Sequence, residues 1–135
     1  MQYVGRQVYH RGNPNGKSIY IAGPMSGYPE FNFPAFFRAQ ENFEQHGWQV
    51  WNPAAKESED TVVTDHKNFA SGNSEGIVAA GWDYKSAFLW DVTKVIHGDA
   101  IFMLKGWEYS PGACAEHAVA KFIKKQNPDY EIIYE

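Results

Sequence analysis

The chain has 135 residues, of which 44% are apolar and 21% charged, and its formal net charge is −4. This length and balance fit one globular domain that buries a core without staples, and they exclude a disordered or collagen-like chain. The acidic excess argues against a nucleic-acid polymer as partner, because phosphate backbones favour basic faces, but not against a small ligand held in a local pocket. Cys114 is the only cysteine, so neither an intrachain disulfide nor a four-cysteine zinc site can form. Residues 1–10 lack the apolar stretch of a secretory signal, and no apolar run approaches the roughly 20 residues of a membrane span. A soluble cytoplasmic protein that does not engage membranes is the expectation.

Residues 1–16 are polar and carry Gly12, Pro14 and Gly16, which reads as an N-terminal extension or hairpin. KSIYIAG, residues 17–23, is a short apolar run ending in glycine and predicts a buried strand. The loop GPMSGYPEFN follows. Asn32 is placed to cap a helix with Pro34 in its first turn, Phe36, Ala39, Gln40 and Phe43 fall at helical spacing, and Gly47 ends it. Residues 48–52 predict a second strand, closed by Pro53. Residues 54–81 are polar and rich in Ser, Asn, Asp and Gly, and predict a long irregular loop of the kind that is usually functional or mobile. Asp83 is a candidate cap for a helix running to about Ile96. DAIFML, residues 99–104, predicts a third strand, KGWEYSP a loop, residues 112–125 a helix and YEIIY, residues 130–134, a last strand. Strands alternating with helices imply a single α/β domain, a three-layer α/β/α sandwich on a mostly parallel, Rossmann- or flavodoxin-like sheet. In such sheets ligands sit at the carboxyl ends of the strands.

Several motifs fail on inspection. GNPNGKS, residues 12–18, has three residues between its glycines where a P-loop needs four, and a strand rather than a helix follows. His10, His46, His66, His97 and His117 show no metal-ligand spacing, the paired cysteines of a zinc deaminase are missing, and no GxSxG nucleophile elbow is present. Two carboxylates stand out instead. Glu116 lies near the start of a helix that follows a buried strand. A helix dipole there favours the ionised form, which suits nucleophilic attack, although glutamates also occupy first turns simply because they stabilise them. Asp91 shares a helical stripe with Tyr84, Phe88 and Val95. An acid on an apolar stripe, in the later half of a helix, has its pKa pushed up as a general acid requires, unless it sits at the stripe's edge in a cap or ion pair. Trp107, in a loop at a strand's carboxyl end, suits either a pocket wall or plain packing.

Taken together, IYIAGPMSG, NFPAFFRAQENFEQHGWQVWNPA and DYKSAFLWDVTKVIHGDAIFMLKGWEYSPGACAEHAVA resemble the nucleoside 2-deoxyribosyltransferase-like superfamily over roughly residues 17–125, closest to a phage and bacterial branch. The resemblance implies that Glu116 attacks the sugar C1′, that Asp91 assists departure of the base and that Tyr20 orients the glutamate. Gly23 and the turn after it, Pro24, Met25, Ser26 and Gly27, would line the sugar and base. At the position six before the glutamate the transferases have an aspartate that holds a free 5′-hydroxyl, whereas Ser110 stands here, as in the 5′-monophosphate N-hydrolases of the same superfamily. Those hydrolases often carry an arginine where this chain has Ser26. The reading that follows is an N-glycosidase acting on a (deoxy)nucleoside 5′-monophosphate without metal or organic cofactor, with the phosphate at Ser110, Gly112 and Ala113. Base exchange between nucleosides is the alternative within enzymes, and a non-catalytic nucleotide-binding protein the alternative outside them. A homo-oligomer is expected, because members of the superfamily build their sites beside subunit contacts.

Overall fold

The computed structural model describes residues 16–60 and 83–135. Residues 1–15 of the expected N-terminal extension, which hold the near-miss glycine motif up to Asn15, and residues 61–81 of the expected long loop lie outside the described residues. Among the described residues, β1 (Ser18–Ala22), β2 (Gln49–Trp51), β3 (Ala100–Met103) and β4 (Glu131–Tyr134) form one sheet in the order β2-β1-β3-β4. Every neighbouring pair is parallel, with Tyr20 opposite Trp51 on one side and Ile101 on the other. The helices are α1 (Phe33–Gln45), α2 (Pro53–Asp60), α3 (Tyr84–His97) and α4 (Pro111–Gln126).

Strand alternation sorts the side chains into two apolar layers. Ile19, Ile21 and Phe102 join Phe33, Phe36, Ala39 and Phe43 of α1 on one face. Tyr20, Ala22, Ile101 and Met103 join Val95 of α3 with Ala113 and Ala120 of α4 on the other. The sheet is thus covered on both faces, the three-layer α/β/α sandwich that alternating elements imply. The chain leaves β1 for α1 on the first face and leaves the adjacent β3 for α4 on the second. The crevice outside a sheet at such a switch point is where α/β proteins bind ligands.

Local chemistry explains where elements start. Asp83 accepts from the Lys85 amide and caps α3, and the Ser110 Oγ accepts from the Ala113 amide at 3.2 Å and caps α4. Asn32 departs from expectation. It occupies the cap position of α1 but bonds no helix amide, and instead its Nδ2 donates to the Pro24 carbonyl at 3.0 Å. Glu30, Phe31 and Asn32 have φ of 55°, 54° and 61°, a left-handed run that costs L-residues energy, and this tie across the loop offsets part of it. Residues 53–60, read from sequence as mostly irregular, are the helix α2, which Asn52 opens by accepting from the Ala54 amide at 2.8 Å. Gly23, just past β1, packs so close to β3 that a Cβ there would meet the Leu104 Cβ at 2.7 Å. Only glycine lets the two switch-point strands end side by side in this way. No described helix is long and apolar enough to cross a membrane.

Candidate active site

Tyr20 points from the central strand onto the α3–α4 face, where it is buried with 1% of its surface exposed. Its hydroxyl donates to the Glu116 Oε2 at 3.1 Å, a contact between residues 96 positions apart. Glu116 is itself 5% exposed, and is a buried carboxyl brought in by α4. Asp91, on α3, completes the group. It is half-buried, and it lies close enough to Glu116 and Tyr20 to interact with both side chains. The three residues named from sequence therefore meet on one face of the sheet, from three elements.

Withdrawal from water dominates their chemistry. Burial pushes the Asp91 carboxyl up to about 6, against hydrogen bonds to Glu116 and Tyr20 that pull it down. Burial pushes Glu116 well above the usual carboxylate range, and the neighbouring Asp91 charge raises it further. The Tyr20 phenol is raised by the same burial and by both carboxyls, so it stays a donor. This reverses the expectation for Glu116. The dipole argument took it near the first turn of a helix from about residue 112; α4 begins one residue earlier, at Pro111, and Glu116 is its sixth residue, in the second turn, where the dipole fades and desolvation wins. Two coupled carboxyls of this kind titrate as a pair and hold one proton between them over the interval between their two ionisations. Such a pair lowers stability, and perturbed carboxyls of this kind cluster at functional sites.

The remaining candidates fall around this centre. Pro24 is buried, and its carbonyl holds Asn32. Met25 packs against the α1-side core, whereas Ser26 and Gly27, the latter with φ of 84°, are exposed at the tip of the turn. Ser110 and Gly112 lie at the open start of α4, where the Ala113 amide donates to the Ser110 hydroxyl. Trp107 stacks at 4.2 Å on His117 and lies 6.1 Å from Tyr134, so packing among these rings accounts for it. The loops after β1 and β3 also enclose a groove of about 640 Å³, lined in part by Tyr28, Arg38, Lys105 and Tyr109. Sequence reasoning missed the aromatic pair Trp51 and Trp90, whose rings lie 6.3 Å apart beside the triad. Their only signal was the helical neighbourhood of Trp90 and Asp91, because the pairing register that seats Trp51 beside Tyr20 is a tertiary property.

A parallel α/β sandwich with a buried carboxyl, held by Tyr20, and a half-buried one beside it defines the general class. The chain belongs to the family described as a domain of unknown function (DUF4406), whose profile matches residues 17–127. Neither the curated proteins nor the solved structures give a match.

The raised Asp91 pKa carries a stability cost with a definite sign. Below its unfolded value of about 3.8 both states are protonated and no cost is felt. Between there and about 6 the unfolded chain releases the proton while the folded protein keeps it, so stability falls as pH rises and levels off above. Asp91→Asn should therefore stabilise the protein at pH 7.5 by about 1–3 kcal/mol. Urea unfolding at pH 7.5 and pH 4.5 checks this, and a gain no smaller at the lower pH contradicts it.

Proposed function

We propose that the protein is an N-glycosidase that cleaves the base–sugar bond of a (deoxy)nucleoside 5′-monophosphate. The observation that carries this reading is the buried contact of Glu116 with Tyr20, shared with Asp91. A nucleophilic carboxylate beside a carboxylic acid is what breaking a glycosidic bond through an oxocarbenium-like state requires. The resemblance of the IYIAGPMSG and GWEYSPGACAEHA segments to the nucleoside 2-deoxyribosyltransferase-like superfamily supports the same roles.

In the singly protonated pair the proton passes to Asp91 as the substrate's C1′ comes to face Glu116. The Glu116 carboxylate attacks C1′ while the C1′–N bond breaks. The base leaves with the bonding electrons and takes the proton from Asp91. Water then attacks C1′, the ester bond to Glu116 breaks, and Asp91 recovers a proton from that water. Tyr20 donates to Glu116 throughout and holds the carboxylate in line. These steps use neither metal nor organic cofactor.

Turnover should show as free base released when the protein is incubated with a panel of nucleosides and 5′-monophosphates. Glu116→Gln should keep the fold and lower that rate by about three orders of magnitude or more, in line with loss of a nucleophile. Near wild-type release by this variant removes Glu116 from the mechanism, and no release by the wild type from any member of the panel rejects the enzyme in favour of a binding protein.

Ser110 separates hydrolysis of monophosphates from base exchange. Its oxygen accepts from Ala113, which leaves the hydroxyl hydrogen to donate to a 5′-phosphate beside exposed Gly112. A hydrogen bond to a charged group contributes about 1.5–3 kcal/mol. Ser110→Asp keeps a good helix cap but repels phosphate and accepts from a free 5′-hydroxyl. It should lower kcat/KM for a monophosphate by about tenfold or more and raise it for the matching nucleoside. Equal losses on both substrates exclude Ser110 as the phosphate determinant and favour base exchange.

The same reading takes the protein as a homo-oligomer. Tyr84, Leu89 and Ile96 on α3 and Phe122 on α4 expose 61%, 69%, 49% and 65% of their surface on the layer that carries both carboxyls, an apolar surface of the kind that subunits bury. Light scattering should give at least a dimer at micromolar concentration, and Leu89→Glu should shift it toward monomer. An active wild-type monomer contradicts this.

A further inference from the structure

The side of the triad toward the β2 edge is walled by two tryptophans and two lysines. Trp51 ends β2 in register with Tyr20, and its indole packs on the triad's face of the sheet. Trp90 immediately precedes Asp91 and meets Trp51 edge-on, with centroids 6.3 Å apart and planes at 81°. One turn further along α3, the Lys94 Nζ lies 3.9 Å from the Trp51 ring centre and 5.5 Å from that of Trp90. Lys56 of α2 reaches the Trp90 ring at 5.8 Å. Both indoles remain half-exposed.

The direction of α3 orders these residues between the two edges of the sheet. Its last residues lead through Gly98 and Asp99 into β3, and the Asp99 amide donates to the Ser18 carbonyl at the amino end of β1. Lys94 is therefore nearer the amino edge of the sheet than Trp90 and Asp91 are. Its ammonium braces the Trp51 ring by attraction to the ring's negative face. Both indoles keep part of their surface open on the face of the sheet that carries Tyr20, and Trp90 adjoins Asp91 in the chain.

We propose that Trp51 and Trp90, held in place by Lys94, form the stacking wall of the leaving-group subsite, and that the subsite takes a flat aromatic heterocycle. Every nucleobase has a π-face, and stacking on indole holds it without demanding a particular pattern of hydrogen-bonding groups. A base lying there presents its edge to Asp91, the group that must protonate it, which is the orientation a proton transfer needs. Trp51 and Trp90 are thus specificity-determining, and Lys94 is a positioning residue that acts through Trp51. The proposal rests on the N-glycosidase reading, but its test needs no turnover.

The test titrates free adenine, free cytosine and ribose 5-phosphate separately into the full chain, by calorimetry and by tryptophan fluorescence. A free base should bind saturably and quench fluorescence. Trp51→Leu should raise its Kd at least tenfold and remove most of the quench. Lys94→Met should weaken binding severalfold and Lys94→Arg should restore it, a rescue that loss of general packing does not produce. The Lys94 pair keeps the proposal testable if Trp51→Leu fails to fold. Absence of base binding to the wild type, unchanged Kd in both Trp51→Leu and Lys94→Met, or quenching by ribose 5-phosphate alone would each overturn it. Base binding that these variants weaken, with no base released from any nucleoside or nucleotide by the wild type, upholds the subsite and rejects the glycosidase.

Discussion

The hydrogen bond from Tyr20 to Glu116 joins the central strand to the helix beyond the switch point, and it does so out of water. A carboxyl in that position is costly, so the surroundings have to make it tolerable. The phenol, itself held protonated by burial, supplies one donor. Asp91 supplies a second polar contact, at the price of raising Glu116 further. The apolar layer beneath, from Ile101, Met103 and Ala113, fixes both helices against the sheet and leaves the polar trio little room to relax. The opposite layer is rich in phenylalanine and carries no buried carboxyl. Phe33, Phe36 and Phe43 are fully covered there, and burying each such side chain contributes about 1.5–3 kcal/mol. Both faces of the sheet thus carry an apolar core, and the buried carboxyl lies on one of them.

The backbone at the switch point serves the same arrangement. Gly23 lets β1 end against Leu104, which brings the turn after β1 beside the loop after β3. Asn32 ties that turn back through Pro24, and three left-handed residues reverse the chain into α1. On the other side of the crevice, Ser110 and Pro111 start α4 at a fixed height, which sets the depth at which Glu116 enters. A helix begun one turn later would leave the same glutamate at the dipole's end and closer to water, with the opposite shift in its pKa. Cap position, more than residue type, therefore decides how this acid behaves.

That dependence also explains what the amino-acid sequence conveyed and what it did not. The parallel α/β architecture followed from alternating short apolar runs and amphipathic stretches, and Asp83 announced α3 because capping is a local interaction. Tyr20, Glu116 and Asp91 were named from local pattern and from resemblance, but their meeting is set by strand pairing and helix packing. Residues 53–60 were misread because a polar, acidic composition gives little helical periodicity, while the signal for α2 was the Asn52 cap followed by Pro53. Trp107 suited either a pocket wall or plain packing because it lies in a loop, and its partners, His117 and Tyr134, come from a helix and an edge strand, which local pattern does not show. Trp51 and Trp90 were not singled out from sequence for a related reason. Nothing local shows that a strand end and the middle of a helix share one wall.

The dipole argument assigned Glu116 an ionised form and the stripe argument assigned Asp91 a raised pKa, whereas burial raises both. The conflict resolves once the two are treated as a single titrating unit. With one proton between them, burial and their mutual interaction decide where it rests. On the N-glycosidase reading proposed above, a positive charge developing at C1′ would stabilise a carboxylate at Glu116, while a departing base with a lone pair would draw the proton through Asp91. The pair would then need no permanently ionised nucleophile and no permanently protonated acid. Substrate charge itself would sort the roles, and the low dielectric that makes the site costly for folding would make that sorting strong.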